Sequence, residues 1–183
     1  MENSEMIKII LTNTVIATVL STIVSTIVGI KLKSLDYRNE YYKKVLDKRL
    51  EAYRFLEMQI AILKNTVLDD DKQPYHMIFS YGEDEFNKFQ TNLITAIANS
   101  IWIHEDTVSE MESLNEIFFK ISRKINNASE DKVVAVGKEY DNQISTSRKK
   151  LEMLVRSDIH TVHDLKKFMK EKRDYGMRSI NWD

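Results

Sequence analysis

Residues 9–30 read IILTNTVIATVLSTIVSTIVGI, twenty-two positions without a charge. At about 1.5 Å per residue a helix of that length reaches roughly 33 Å, enough to cross a hydrocarbon core of about 30 Å. Eight of these residues are Thr, Ser or Asn, and their placement is ordered. With Thr14 set at zero and about 100° per residue, Thr14, Thr18, Ser21, Thr22, Ser25, Thr26 and Gly29 share an arc of about 140°, opposite Ile16, Leu20, Ile23, Val24 and Ile27. Small residues four apart let two backbones approach and let hydroxyls bond between helices. This is the expected oligomerisation face, and one version of it is a water-lined assembly. The competing readings are that the hydroxyls bond back to carbonyls of their own helix, or that the segment is a buried helix of a soluble fold. A cleaved signal peptide fits less well, because Glu2 and Glu5 precede the run against one Lys8, and no small-residue cleavage site precedes Lys31.

Downstream, residues 31–49 hold seven basic and three acidic side chains. A basic excess at the end of a span stays in the cytoplasm, which predicts an outside amino terminus and a cytoplasmic remainder in the cell's inner membrane. Lys31, Lys33, Arg38, Lys43 and Lys44 form the juxtamembrane basic cluster, suited to anionic head groups.

Composition bounds the rest. The 183 residues are 43% hydrophobic and 30% charged, a balance that buries a core. Four glycines and one proline are too few for a fold of many tight turns, so sandwiches, barrels and glycine-loop nucleotide folds are excluded. The absence of cysteine removes disulfides, thiolate metal sites and a cysteine nucleophile. An all-α fold is expected: an amino-terminal transmembrane helix (1–30), a long juxtamembrane helix (31–68) and an antiparallel helical bundle (69–183) that packs with it.

From Leu32 to Leu68 nothing breaks the chain, and Tyr42, Leu46, Arg49, Tyr53, Leu56, Ile60, Leu63 and Val67 recur at alternating steps of four and three. That is a helical stripe with coiled-coil spacing, read either as core or as a pairing surface between copies. Ser34 and Asp36 are possible caps for a fresh start. Asp69 to Pro74 ends the helix in a loop. A second helix is expected from near Asp84 to about Trp102–Glu105. A third starts at a capping box formed by Thr107 and Glu110, keeps a three-and-four rhythm through Val108, Met111, Leu114, Ile117, Phe118, Ile121 and Ile125, and ends at Asn126 and Asn127. A fourth runs from about Glu130 to Arg156, and a short fifth from Val162 to Arg173 is capped by Thr161.

Residues 31–68 carry nine basic and five acidic side chains, 69–131 five and thirteen, and 132–183 twelve and eight. An acidic middle packed between basic flanks is one reading, and an acidic surface for a basic partner is the other. Nucleic acid is not an expected partner, since no domain is strongly basic and no aromatic residues interleave a basic stripe.

Motifs of chemistry are weak. His160 and His163 near Asp158 and Asp164 could offer a metal two imidazoles and a carboxylate, but ordinary turn and capping roles explain them. Asp69, Asp70 and Asp71 lack the spaced ligands of a calcium loop. His104, Glu105 and Asp106 read as a connecting loop, and no nucleophile elbow, phosphate loop or His-Glu-x-x-His is present. No cofactor is expected, and the chain is read as a non-enzyme.

The anchor, followed by Tyr41-Tyr42-Lys43-Lys44-Val45-Leu46-Asp47-Lys48-Arg49-Leu50-Glu51-Ala52-Tyr53 and then by Phe86 to Ile103 leading into Glu105-Asp106-Thr107-Val108, resembles uncharacterised single-span helical proteins of bacteria and their phages. The resemblance covers most of the chain and implies phage defence or exclusion; it carries over no functional residue. The expected partners are the lipid bilayer, further copies of the chain and an unidentified protein. An oligomeric, leak-forming effector and a metal-dependent enzyme are the alternatives to binding or sensing.

Overall fold

The computed structural model describes residues 2–171, with side chains from Thr14 to Lys170. The protein is all-α. Five helices, α1 (Glu2–Lys64), α2 (Gly82–Ala98), α3 (Glu105–Ile125), α4 (Glu130–His160) and α5 (Leu165–Glu171), accompany one antiparallel ribbon of β1 (Thr66–Leu68) and β2 (Pro74–His76) among the described residues. Single 3-10 turns occupy Met77–Phe79 and Ser100–Trp102. The chain divides into two compact units after Lys44, so the later part of the expected juxtamembrane helix belongs with the bundle.

In the first unit, 1–44, α1 passes Ser34 and Asp36 without a break. Its large apolar side chains from Val15 to Ile30 are each 48% to 65% exposed, so no protein core covers them. This is the helix long and apolar enough to cross a membrane among the described residues.

The second unit, 45–183, holds the core. α1 and α4 run antiparallel, since Lys64 meets Glu152 (2.7 Å) while Tyr53 meets Asp158 (2.9 Å). α3 and α4 form a hairpin in the same sense, with Lys124 on Glu139 (2.5 Å) and Glu110 on Ser147 (2.6 Å). The heptad-like positions predicted for α3 all turn inward except Ile117, which is half-buried: Val108, Met111, Leu114, Phe118, Ile121 and Ile125 are buried. Phe118 meets Phe86 and Phe89 of α2 edge to face, at 5.6 and 5.4 Å, an arrangement that adds to simple burial. Phe79 stacks on Phe86 (5.3 Å) and fills the space over Gly137, where a Cβ would lie 2.6 Å from its Cγ.

Several expected boundaries move. α1 stops at Lys64, four residues early, because Thr66, Val67 and Leu68 pair with His76, Tyr75 and Pro74 in register. β-branched residues favour that extended state. The Asp69–Gln73 turn closes on itself, with Asp69 Oδ1 accepting the Gln73 N–H (2.7 Å) and Lys72 at φ 60°. The capping box at Thr107 and Glu110 is absent. α3 begins two residues earlier behind His104, and tertiary partners take both side chains: Thr107 bonds Asp158, and Glu110 bonds Ser147 and Lys150. α4 continues to His160, and α5 starts at Leu165 behind Asp164, whose carboxylate accepts the Lys167 N–H (3.2 Å). Thr161 does not cap α5; its hydroxyl donates back to Asp158 O (3.2 Å). The end predicted at Arg173 lies outside the described residues. Ion pairs cross the charge blocks both ways. Lys138–Asp69 and Lys150–Glu110 join a basic flank to the acidic middle, whereas Lys64–Glu152 and Lys124–Glu139 do not follow that pattern.

Candidate functional site

The small-residue face of α1 is exposed along its described length, from Thr14 to Gly29. Thr14, Ala17, Thr18, Ser21 and Thr22 line a shallow groove on it, and a Cβ built on Gly29 meets nothing within 4 Å. The threonine hydroxyls are already engaged: Thr18 donates to Thr14 O (2.8 Å), Thr22 to Thr18 O (2.9 Å) and Thr26 to Thr22 O (2.8 Å). With those donors satisfied within the helix, the face offers a partner close backbone approach more than unspent hydrogen bonds.

Past Gly29 the juxtamembrane basic residues Lys31, Lys33, Arg38, Lys43 and Lys44 are all exposed. Lys44 pairs with Glu40 (2.9 Å) at a fully exposed position, and such a pair contributes little to stability. At about 100° per residue the five cations point to every side of α1 rather than to one. A helix lying along a charged surface gathers its cations on one side, and these five do not gather.

The stripe proposed for helix pairing is spent inside the bundle. Arg49, Tyr53, Leu56, Ile60 and Leu63 are buried against α4 and its neighbours, and Tyr42, Leu46 and Val67 are half-exposed. Three-and-four spacing marks a buried face without saying whose helices bury it; here they are the chain's own.

Within that stripe sits a buried polar cluster. Arg49 is 0% exposed. Its Nη1 donates to Val162 O (2.7 Å), its Nε reaches Trp102 O (3.4 Å), and its guanidinium lies over the Phe168 ring (3.8 Å to the centroid). Nη2 is buried without a partner among the described residues. One turn on, the Tyr53 hydroxyl donates to Asp158 Oδ2 (2.9 Å) and accepts the His104 N–H (3.0 Å), and Thr107 donates to the same carboxylate oxygen (2.5 Å). Burial, reinforced by the Asp158 charge, holds the Tyr53 phenol well above its ordinary value. The cluster ties α1 to the α2–α3 connection, the end of α4 and the start of α5. Arg49 and Tyr53 were visible in the sequence as stripe members. Thr107 and Asp158 stand out in the sequence only in other roles, as a cap and beside the His160 and His163 pair, and Phe168 not at all; the one signal for the cluster is a charged residue inside an apolar stripe.

A second cluster joins the β1–β2 ribbon to α4. His76, 1% exposed by side chain, places Nε2 3.2 Å from Ser145 Oγ and 3.5 Å from Asp141 Oδ1. These are the residue types of a nucleophilic triad without its geometry. In a triad the carboxylate orients the imidazole through the nitrogen turned away from the hydroxyl, whereas here both partners face Nε2. Burial pushes the His76 imidazole below its usual range, against the pull of Asp141. The arrangement locks β2 onto α4.

His160 and His163 are both exposed, and among the described residues no group of three or more metal-ligating side chains converges. Asp69 is held by Lys138, whose ammonium keeps the carboxyl below its usual range, so the Asp69–Asp71 turn makes an internal ion pair. No protein-family model, curated protein or solved structure matches the chain.

Proposed function

We propose that the chain is a membrane-anchored helical protein that acts by protein–protein interaction or sensing. The observation that carries this reading is the run from Val15 to Ile30: large apolar side chains on an unbroken helix, none of them covered by the protein. Exposed apolar surface of that extent needs an apolar solvent. The excess of basic residues after the run supports an outside amino terminus and a cytoplasmic bundle. Self-association rests on the small-residue face from Thr14 to Gly29, since the stripe from Arg49 to Leu63 is occupied. Binding is favoured over catalysis because the buried polar clusters serve to join helices. The resemblance of the layout to single-span proteins of bacteria and phages is the ground for phage defence or exclusion as the setting.

Membrane fractionation with a carbonate wash, followed by cross-linking of the full chain, tests the reading. Retention in the washed membrane and a defined cross-linked oligomer are expected. Protein that stays fully soluble overturns the anchor. Retention with monomer alone overturns the association.

A further inference from the structure

α5 separates its side chains by chemistry. At about 100° per residue Leu165, Phe168 and Met169 fall within one arc of about 100°, and Lys166, Lys170 and Lys167 occupy the opposite side. Leu165 and Phe168 are 7% and 1% exposed, whereas Met169 is 39% exposed. The bundle therefore seats two of the three apolar side chains and leaves the third outside. All three lysines are exposed, and α5 ends at one acidic residue, Glu171, before the sequence continues with Lys172 and Arg173. A short basic amphipathic helix of this kind matches an anionic lipid surface, where apolar side chains enter the headgroup boundary and lysines meet phosphates.

The seat that α5 occupies is unusual. Phe168 covers a permanently charged guanidinium that makes no ion pair with a carboxylate among the described residues and whose Nη2 is buried without a partner there. Keeping such a group from water costs free energy. When α5 leaves, water reaches Arg49, and the recovered hydration offsets part of the cost of uncovering Phe168 and Leu165. An aliphatic seat would give no such return.

We propose that α5 is a detachable helix that exchanges its seat on Arg49 for the surface of an anionic bilayer. The proposal rests on the anchored reading above, because the anchor keeps lipid at high effective concentration around the bundle. On the membrane Leu165, Phe168 and Met169 form the inserted face and Lys166, Lys167 and Lys170 the headgroup contacts, and the vacated seat exposes Arg49 and the end of α4 to other proteins.

The chain has no cysteine, so Met169→Cys gives a single attachment point for an environment-sensitive fluorophore. The labelled full-length protein is placed in nanodiscs of phosphatidylcholine alone or of phosphatidylcholine with phosphatidylglycerol. A blue-shifted emission confined to the phosphatidylglycerol discs is expected. Lys166→Gln, Lys167→Gln and Lys170→Gln together should weaken it on the order of 100-fold. Equal emission in the two kinds of disc overturns the proposal and leaves the anchor standing. A blue shift caused by added polyglutamate and not by phosphatidylglycerol overturns it in favour of an acidic protein partner. Failure to enter discs at all overturns the anchored reading, and this proposal with it.

Discussion

Residues 15–30 and 49–63 belong to one helix, are both rich in aliphatic side chains, and dispose of them in opposite ways. The earlier stretch leaves every one of its large aliphatic side chains exposed; the later one buries a single stripe and leaves Leu50, Met58 and Ile62 as scattered exposed positions. Polar groups divide the same way. Thr18, Thr22 and Thr26 spend their hydroxyls four residues back in their own helix, whereas Tyr53 and Arg49 reach partners 105 and 113 residues away. Local satisfaction suits a helix surrounded by lipid, where no water completes a donor. Distant satisfaction suits a core, where a polar group fixes which elements meet.

The sharpest way to break the contrast is to put charge where the anchor is proposed. Val19→Lys with Ile23→Lys should cost about 2.5 to 3.5 kcal/mol of insertion free energy at each position and release the chain on carbonate washing, with the helical circular dichroism of the bundle unchanged. Retention of the doubly substituted chain would contradict the anchor.

The two glycines of the helical faces come next. Gly137 faces Phe79, and a methyl there would press to 2.6 Å from the ring. Gly137→Ala should destabilise the bundle by about 1 to 3 kcal/mol in a denaturant titration, despite alanine's better helix propensity. At Gly29 nothing lies within 4 Å, and Gly29→Ala should leave the same titration unmoved. Equal effects at the two positions would remove the distinction between a packed and an open face.

A smaller effect separates the bundle's ionisable groups. The folded His76 imidazole is held below its usual 6.5, chiefly by burial, while Asp141 pulls it upward and Arg148 downward. The unfolded chain therefore takes up the proton first. The stability linked to His76 is complete above about pH 6.5 and is lost as pH falls through that value towards the depressed folded one. The unfolding midpoint should drop between pH 7 and 5, and His76→Gln should flatten that slope. Asp69 and Glu152, both held below their usual 3.8 and 4.5, act only in more acidic solution.

The smallest expected effect concerns the threonines. Because their hydroxyls are bound within the helix, Thr18→Val with Thr22→Val should keep the cross-linked oligomer, and Thr18→Leu with Thr22→Leu should abolish it by bulk alone. Loss with valine would return the hydroxyls to a role between helices.

Much of the fold was legible because hydrophobic period is a strong signal in long segments. The inward positions of α3 and the break at Asn126 and Asn127, where Asn127 takes φ 55°, follow from it directly. What periodicity cannot carry is the identity of the covering partner, and so the stripe from Arg49 to Leu63 was equally compatible with a second copy. The end of α1 was misplaced because Thr66–Leu68 has no helix breaker before it and becomes a strand only by pairing across the Asp69–Gln73 turn. Thr107 and Glu110 had the spacing of a cap, but residues of α4 outcompete the local donors. The polar clusters were half legible for the same reason. Arg49 and His76 stand out singly, and their neighbours arrive from distant parts of the chain.

Those distant pairings also set the order in which the bundle is completed during synthesis. The stripe of α1 is made early, yet Asp158, Val162 and Phe168 that close over it follow more than a hundred residues later. At about 5 to 20 residues per second the nascent stripe waits roughly five to twenty seconds for its final cover. Throughout that interval Tyr53, Leu56 and Leu63 are open to whatever is nearest, so the chain's most vulnerable moment falls between emergence of α1 and the docking of α4.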